Sequence, residues 1–159
     1  MCPFTAAKIA TKINSMIAYC SEDCSYDYKG YKRATSSWLS AVASSYGKRI
    51  GDISIVFCSD KYLLSVNKQY LKHDFYTDVI TFDYCEGEIV GGDIMVSVDT
   101  VLANSVTYGS EFPDEMHRVI VHGLLHLIGF DDITEEQQKD MKEAENRALA
   151  LFPSFASKS

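Results

Sequence analysis

The sequence of 159 residues predicts a single α+β domain in which a small mixed β-sheet is covered by helices. Segments with the patterns of strands and helices follow one another in the order β-α-β-α-β-β-α-α-α. A glycine-rich turn joins two adjacent strand segments, which indicates a β-hairpin. No linker, repeat or low-complexity segment divides the chain, and its length suits one domain.

The limits of the domain follow from where the patterned segments begin and end. Residues 1–12 form a predicted N-terminal extension, residues 13–152 form the folded domain, and residues 153–159 form a flexible tail. Residues 13–19 make a first strand. Residues 20–31 are rich in Ser, Asp, Tyr and Gly and make a loop.

The next elements are a helix, a strand and a second helix. Apolar side chains recur at helical spacing in residues 31–46, and we expect Trp38 to anchor the core rather than to stack on nucleobases. Residues 52–58 are apolar and β-branched, which is typical of a central strand. Ser59 or Asp60 can cap the helix that follows.

A hairpin occupies the middle of the chain. Residues 71–77 form a loop, residues 78–83 form a strand, and the glycines of residues 86–92 indicate a turn. Residues 93–98 complete the hairpin, and a helix at 98–110 follows.

Two further helices end the domain. Pro113 suits the first turn of a helix, where its missing N–H costs nothing. Thr134 and Gln137 have the spacing of a capping box for the last helix. The side chains of that helix expected to face inward are Met141, Ala144, Ala148 and Leu149.

The composition indicates a soluble globular protein, with 47% hydrophobic and 23% charged residues. No apolar run approaches the roughly 18 residues of a membrane span, and the first residues lack a signal-peptide pattern. The five cysteines are odd in number and scattered, so we expect reduced thiols in a cytoplasmic protein.

The charge is unevenly distributed along the chain. Residues 1–73 carry ten Lys/Arg and five Asp/Glu, a net charge of +5, whereas residues 74–159 carry five and seventeen, a net charge of −12. The total of −7 argues only superficially against a nucleic-acid partner, because a basic approach surface can lie beside an acidic half. A solvated surface without a partner fits the charge pattern equally well.

Two histidines, His122 and His126, lie four residues apart at the end of an apolar run. On a helix they project from one face, and two imidazoles at that spacing can bind one divalent metal. Gly129 favours the backbone conformation that ends a helix, so the chain can return Asp131 or Asp132 to the same point. Three ligands with an open fourth position are typical of a catalytic zinc site.

The same spacing also arises by chance in helices without a metal. Here the pair is flanked by apolar side chains around most of the helix, so we expect the helix to be buried. Burying an unpaired polar group costs roughly 1–3 kcal/mol, and the two imidazoles therefore need partners. A metal site is favoured over a pair of ordinary core histidines.

The stretch from His122 to Asp131, His-Gly-Leu-Leu-His-Leu-Ile-Gly-Phe-Asp, resembles the signature of the YbeY family of zinc-dependent endoribonucleases. Members of that family act in bacterial ribosomal RNA maturation. Residues 67–70 (Asn-Lys-Gln-Tyr) and 76–82 (Tyr-Thr-Asp-Val-Ile-Thr-Phe) resemble its second motif. Residues 92–94 (Gly-Asp-Ile) and 141–145 also fall at the expected places.

The resemblance covers roughly residues 53–149 and implies the same α+β architecture. It implies one Zn²⁺ per chain, held by His122, His126 and Asp132. The activity it implies is cleavage of single-stranded RNA in rRNA maturation and ribosome quality control. Its substrate would be precursor rRNA, its partners a ribosomal subunit or ribosome-associated proteins, and its location the cytoplasm.

Two positions depart from the family pattern. Asp132 stands where a third histidine is usual, and aspartate oxygen is an acceptable zinc ligand. Leu71 stands where an arginine is usual, which removes a cation that could meet phosphate. RNA phosphate would then be contacted by nearby residues such as Lys68 or Lys72, or by the metal alone.

Two other functions compete with the nuclease. The spacing of His122, His126 and Asp132 also matches zinc peptidases, but those enzymes place a glutamate general base beside the first histidine, where this chain has Gly123. The third possibility is a metal-stabilised, ribosome-associated binding protein without activity, which the leucine at position 71 favours.

The general base of a nuclease is not evident in the sequence. Asp78, Asp93 and His73 are candidates, although the two aspartates can equally cap turns and the histidine can be an exposed loop residue. Asp131 suits a turn or a partner for a ligating histidine, because such histidines usually need an orienting group.

Overall fold

The computed structural model describes residues 16–156, in which four strands form one mixed sheet. The strands are β1 (Met16–Glu22), β2 (Arg49–Cys58), β3 (Val79–Asp83) and β4 (Ile89–Ser97). Their order in the sheet is β1-β2-β4-β3, with β1, β2 and β4 parallel and β3 antiparallel to β4. The small mixed sheet and the hairpin of β3 with β4 are therefore confirmed.

Five helices complete the fold in the described part of the chain. They are α1 (Lys32–Ser45), α2 (Asp60–Tyr70), α3 (Val98–Tyr108), α4 (Phe112–Ile128) and α5 (Glu135–Ala156). The element order agrees with the expectation from the sequence. None of the helices between residues 16 and 156 has the length and apolar character needed to cross a lipid bilayer.

The sheet separates two apolar layers, because side chains alternate between its faces along each strand. Ile55 of β2 and Ile94 of β4 point to the larger core, which α1, α4 and α5 complete. Val56 and Met95, the next residues along the same strands, point to a smaller core that α2 covers. Trp38 is fully buried in the larger core and donates its indole N–H to the carbonyl of Ala148 at 2.7 Å, which confirms its structural role.

Several element boundaries differ from the expected ones. Strand β1 reaches Glu22, beyond the expected end at residue 19, because residues 16–22 pair along β2. Helix α5 continues to Ala156, into the segment expected to be a tail. The N-terminal extension at 1–12 and the last three residues lie outside the described part of the chain.

Strand β4 begins at Ile89, inside the segment predicted to be a turn. Its first residues pair with β2 through Arg49 and Ile50, so Gly91 and Gly92 lie in a strand. A Cβ atom at Gly91 would come within 3.2 Å of the Asp52 carbonyl, and one at Gly92 would collide with the neighbouring strand. These glycines therefore permit close approach of backbones, which is a contact that local sequence patterns do not reveal.

Candidate metal centre

Helix α4 carries both histidines, and the sequence determines where it begins and ends. Pro113 lies in its first turn, and Gly129 caps its C-terminus with a φ of 128°, a conformation that favours glycine. The Gly129 N–H donates to the carbonyls of Leu125 and His126, both at 3.1 Å. The chain then reverses direction before helix α5.

Three side-chain donors converge beyond this turn. The Nε2 atoms of His122 and His126 lie 3.1 Å apart. The Oδ2 atom of Asp132 lies 3.3 Å from the first of these nitrogens and 3.4 Å from the second. The three residues form a group that could hold a metal ion.

The spacing of these atoms fits one small cation. Zinc binds imidazole nitrogen and carboxylate oxygen at roughly 2.0–2.2 Å, so ligands at tetrahedral corners lie about 3.3–3.5 Å from one another. The observed separations of 3.1, 3.3 and 3.4 Å are close to that value. Among residues 17–152 the group consists of three donors, which leaves a fourth corner open as in catalytic zinc sites.

The other ring nitrogen of each histidine is engaged, and this fixes the direction of the free one. The Nδ1–H of His122 donates to Oε2 of Glu145 at 2.6 Å, and that of His126 donates to the Phe130 carbonyl at 3.0 Å. Both Nε2 atoms therefore present lone pairs to the Asp132 carboxylate. Three facing lone pairs repel one another unless a cation lies between them, which favours a metal.

Glu145 is itself held in place by Arg118. The guanidinium donates to Oε1 of Glu145 at 2.8 Å and to Oδ1 of Asn146 at 2.9 Å. Burial raises the pKa of Glu145, but the hydrogen bonds from His122 and Arg118 outweigh it and leave the pKa below its ordinary value. The carboxylate is therefore ionised when it accepts from His122.

The hydrogen bond between His122 and Glu145 also affects the pKa of His122. Burial lowers its pKa, but the hydrogen bond to Glu145 and the charges of nearby carboxylates outweigh this effect. The net pKa of His122 lies above its ordinary value. The carboxylates around this imidazole thus make the electrostatic potential at the site negative.

A cleft of about 650 Å³ opens beside the three donors. The charged residues that line it are Asp78, Glu115, Arg118, Asp132, Lys142 and Glu145. Burial is the main cause that raises the pKa of Asp78, and it does the same for Glu115. Four carboxyl groups and two cations give the cleft an acidic balance that one divalent cation would offset.

The structure separates the three candidate bases from one another. Asp78 lines the cleft and accepts a hydrogen bond from Asn104 at 3.4 Å. Asp93 is buried within β4, in register with Ser54 and Phe82 of the flanking strands, and is not part of the cleft lining. His73 lies in an exposed loop and stacks on Phe75.

The remaining sequence candidates lie away from the cleft lining. Asp131 is exposed in the turn after α4, and both histidines have other partners. Lys68 is exposed and pairs with Asp74 at 3.4 Å. Lys72 is exposed and has a φ of 58°.

Sequence reasoning missed the roles of Glu145 and Arg118. A signal for the glutamate was present, since it falls on the inward stripe of α5 beside Ala144, with Met141 and Ala148 one turn away on either side. A carboxylate on a buried stripe needs a partner. No comparable local signal identified Arg118, because its partner lies on a different helix.

Fold and site together define a small α+β protein with a candidate metal centre on a His-x3-His helix. The model of the family described as Endoribonuclease YbeY matches residues 16–152. The chain therefore belongs to the YbeY family, as the resemblance of its motifs predicted.

Similar proteins support this assignment. A Bacteroides thetaiotaomicron protein named Endoribonuclease YbeY is 52% identical over 120 residues, which are 76% of this chain and 88% of the relative. A Parabacteroides distasonis protein of the same name is 50% identical over 137 residues, 86% of this chain and 96% of the relative. The solution structure of a Thermotoga maritima protein has a TM-score of 0.59 at 25% identity and covers 91% of this chain and 96% of that protein.

Proposed function

We propose that this protein is a zinc-dependent endoribonuclease that cleaves single-stranded RNA during rRNA maturation and ribosome quality control in the cytoplasm. Its substrate is precursor rRNA, and its partners are a ribosomal subunit or ribosome-associated proteins. The relatives named Endoribonuclease YbeY support the reaction class. The observation that carries the proposal is the convergence of three lone-pair donors beside an open cleft.

In this proposal His122, His126 and Asp132 bind one Zn²⁺ through two Nε2 atoms and a carboxylate oxygen. When bound there, the ion would supply Lewis-acid chemistry towards a phosphoryl oxygen. Glu145 keeps the His122 ring in the tautomer that presents Nε2. The walls of the cleft leave room for an RNA strand on the open side of the site.

Asp78 is the group best placed to move a proton. It lines the cleft, and burial raises the pKa of its carboxyl, as suits a general base near neutral pH. We expect Asp78→Asn to lower the cleavage rate by about 10²-fold or more while zinc content stays at the wild-type level. Asp140→Asn, at an exposed position of α5, is the matched control. Cleavage by Asp78→Asn at the wild-type rate would assign proton transfer elsewhere.

Phosphate contacts come from lysines and from the metal, since position 71 is leucine. Lys142 lines the cleft. Lys68 lies near the end of α2, and Lys72 lies in the loop between α2 and β3. Each lysine that contacts phosphate adds about −0.7 to the salt dependence of binding to single strands. We expect alanine at each contacting lysine to weaken binding for all RNA sequences and to flatten that dependence.

The peptidase alternative has a specific obstacle in the packing of α4. Gly123 faces the sheet, and a Cβ atom there would lie 2.7 Å from Cγ2 of Ile94. A glutamate at this position would therefore point into the core rather than to the cleft. This observation favours the nuclease over a peptidase.

The decisive experiment titrates zinc into metal-free protein and follows cleavage of ribosomal RNA. We expect cleavage to rise with zinc up to one ion per chain and to be lost in His126→Ala. His73→Ala, which changes an exposed histidine, is the matched control and should behave as wild type. Zinc-loaded protein that cuts casein but leaves RNA intact would establish the peptidase. Zinc binding without either activity would establish a binding protein.

A further inference from the structure

Exposed aromatic rings are confined to two segments in the part of the chain whose side chains are described. Phe75 is 55% exposed and Tyr76 57%, both in the loop before β3, and Tyr108 is 69% exposed at the end of α3. The other aromatic side chains between residues 17 and 152 are buried or half-buried. The two segments are about thirty residues apart in the sequence.

A hydrogen bond joins the two segments at the cleft. Asn104 of α3 donates from Nδ2 to Oδ2 of Asp78 at 3.4 Å. Tyr108 lies one helical turn after Asn104, on the same face, and lines the same cleft as His122. Tyr76 precedes Asp78 by two residues, so its backbone lies within about 7 Å of that aspartate. Tyr108 therefore lines the cleft that contains the metal centre, and the backbone of Tyr76 lies close to Asp78 in the wall of that cleft.

The two tyrosine side chains are largely exposed and make few specific contacts. Between residues 17 and 152, neither ring stacks on another aromatic side chain and neither hydroxyl makes a side-chain hydrogen bond. Phe75 differs, because it stacks on His73 with ring centroids 5.2 Å apart and planes at 20°. Tyr76 and Tyr108 thus offer flat apolar faces to a partner outside the chain.

The charge around these rings restricts the kind of partner. The cleft wall beside them carries Asp78 and Glu115, whose carboxylates repel phosphate groups. An uncharged flat group can approach there, while phosphates lie nearer to Lys142 and the metal centre. Nucleobases have the required chemistry, since every base presents a π-face that stacks on an aromatic side chain.

We propose that Tyr108 and Tyr76 stack on unpaired nucleobases of an RNA strand whose backbone passes through the cleft. The inference rests on the proposed endoribonuclease function and gives that function a physical basis for selecting single strands. Bases in a duplex are already stacked on their neighbours and paired at their edges, so their faces are not available. The rings would therefore accept single-stranded RNA and reject duplex.

The test measures binding of zinc-loaded, full-length protein to a fluorescent 2′-O-methyl single strand, checked on a gel to remain intact. We expect Tyr108→Leu and Tyr76→Leu each to weaken binding by roughly 5- to 100-fold, the contribution of one stacked base. Tyr108→Phe, which keeps the ring, should bind within about twofold of wild type. Val106→Ala, an exposed change on another side of α3, is the matched control.

A strand with abasic sites separates stacking from other effects of the substitutions. Wild type and the leucine variants should bind an abasic strand equally, because no base remains to stack. Zinc content should be the same in all variants. The inference would be overturned if Tyr108→Leu and Tyr76→Leu bound the base-containing strand as tightly as wild type. RNA cleavage by wild type would still uphold the proposed function in that case. Wild type that neither binds nor cleaves RNA would overturn both.

Discussion

At the scale of single residues, the three candidate ligands differ in how firmly the fold holds them. The side chains of His122 and His126 are 21% and 25% exposed, and each ring has a hydrogen-bond partner at Nδ1. The Asp132 side chain is 41% exposed and lies in the turn between α4 and α5. The two histidines thus provide a rigid edge of the site, and the aspartate completes it from a less constrained position.

The first prediction concerns this third ligand. We expect Asp132→His to keep zinc binding, since imidazole is an equally good donor, and Asp132→Ala to weaken it severely because two protein ligands remain. Competition with a chelator measures the affinity. Asp131→Ala, the exposed neighbour, is the control. Equal affinities in wild type and Asp132→Ala would place the third ligand elsewhere.

The second prediction concerns the partner of His122. Removal of a group that orients a ligating histidine typically costs 10- to 100-fold in metal affinity, and we expect that loss in Glu145→Ala. Glu145→Gln should lose less, because its amide oxygen can still accept from Nδ1. Glu143→Ala changes an exposed glutamate of the same helix and should leave affinity unchanged. A wild-type affinity in Glu145→Ala would show that the His122 ring needs no partner.

At the scale of elements, two adjacent positions of α4 serve different purposes, one in the site and one in the packing of the helix. His122 must face the cleft, and the next residue must let the helix approach β4 closely. A Cβ at Gly123 would lie 2.7 Å from Ile94 and 3.4 Å from Thr81. The glycine therefore sets the distance between helix and sheet and, through it, the position of the histidines.

The third prediction follows from that contact. In an open helix, replacing glycine by alanine stabilises by about 1 kcal/mol, but here the added methyl group overpacks the core. We expect Gly123→Ala to lower the free energy of unfolding by about 1–3 kcal/mol, measured by urea denaturation. Ala103→Gly, at an exposed position of α3, is the control for helix propensity and should cost about 1 kcal/mol. A stabilised Gly123→Ala would show that α4 can move away from the sheet.

At the scale of the whole molecule, one histidine joins three helices. His117 of α4 is 4% exposed, stacks on Phe152 of α5 with ring centroids 4.0 Å apart, and meets Trp38 of α1 edge-on. Its Nε2 atom has no hydrogen-bond partner within the described residues. Burial lowers the pKa of His117 from 6.5 to about 4, so the imidazole is neutral in the native protein.

The fourth prediction is a loss of stability in acid. The unfolded chain binds a proton near pH 6.5 and the native chain only near pH 4, so the native state is favoured above this window and loses stability as pH falls through it. The full effect is about 3 kcal/mol by the usual conversion. Unfolding by urea at several pH values should show a smaller decline in His117→Phe than in wild type. His73→Gln should follow wild type, and parallel curves for wild type and His117→Phe would contradict the expectation.

Features that depend on short stretches of chain could be predicted from the sequence. The spacing of His122 and His126 fixes their common face because a helix has 3.6 residues per turn. Gly129 ends that helix, and Thr134 and Gln137 exchange the two hydrogen bonds of a capping box, both at 3.1 Å. A run of apolar and β-branched residues likewise predicted the central strand. Such features depend on local backbone geometry, which is set by residues that are neighbours in the sequence.

Contacts between groups that are distant in the sequence could not be predicted and are seen only in the folded chain. Glu145 reaches His122 because α5 packs against α4, and the same packing brings Arg118 to the glutamate. Asp78 lies in the cleft while Asp93 lies inside the sheet, although both were equal candidates in the sequence. Gly91 and Gly92 were expected in a turn, but they lie in β4, where they allow close approach of the neighbouring strands. These outcomes depend on how whole faces pack, a property of the assembled core that no single stretch of sequence contains.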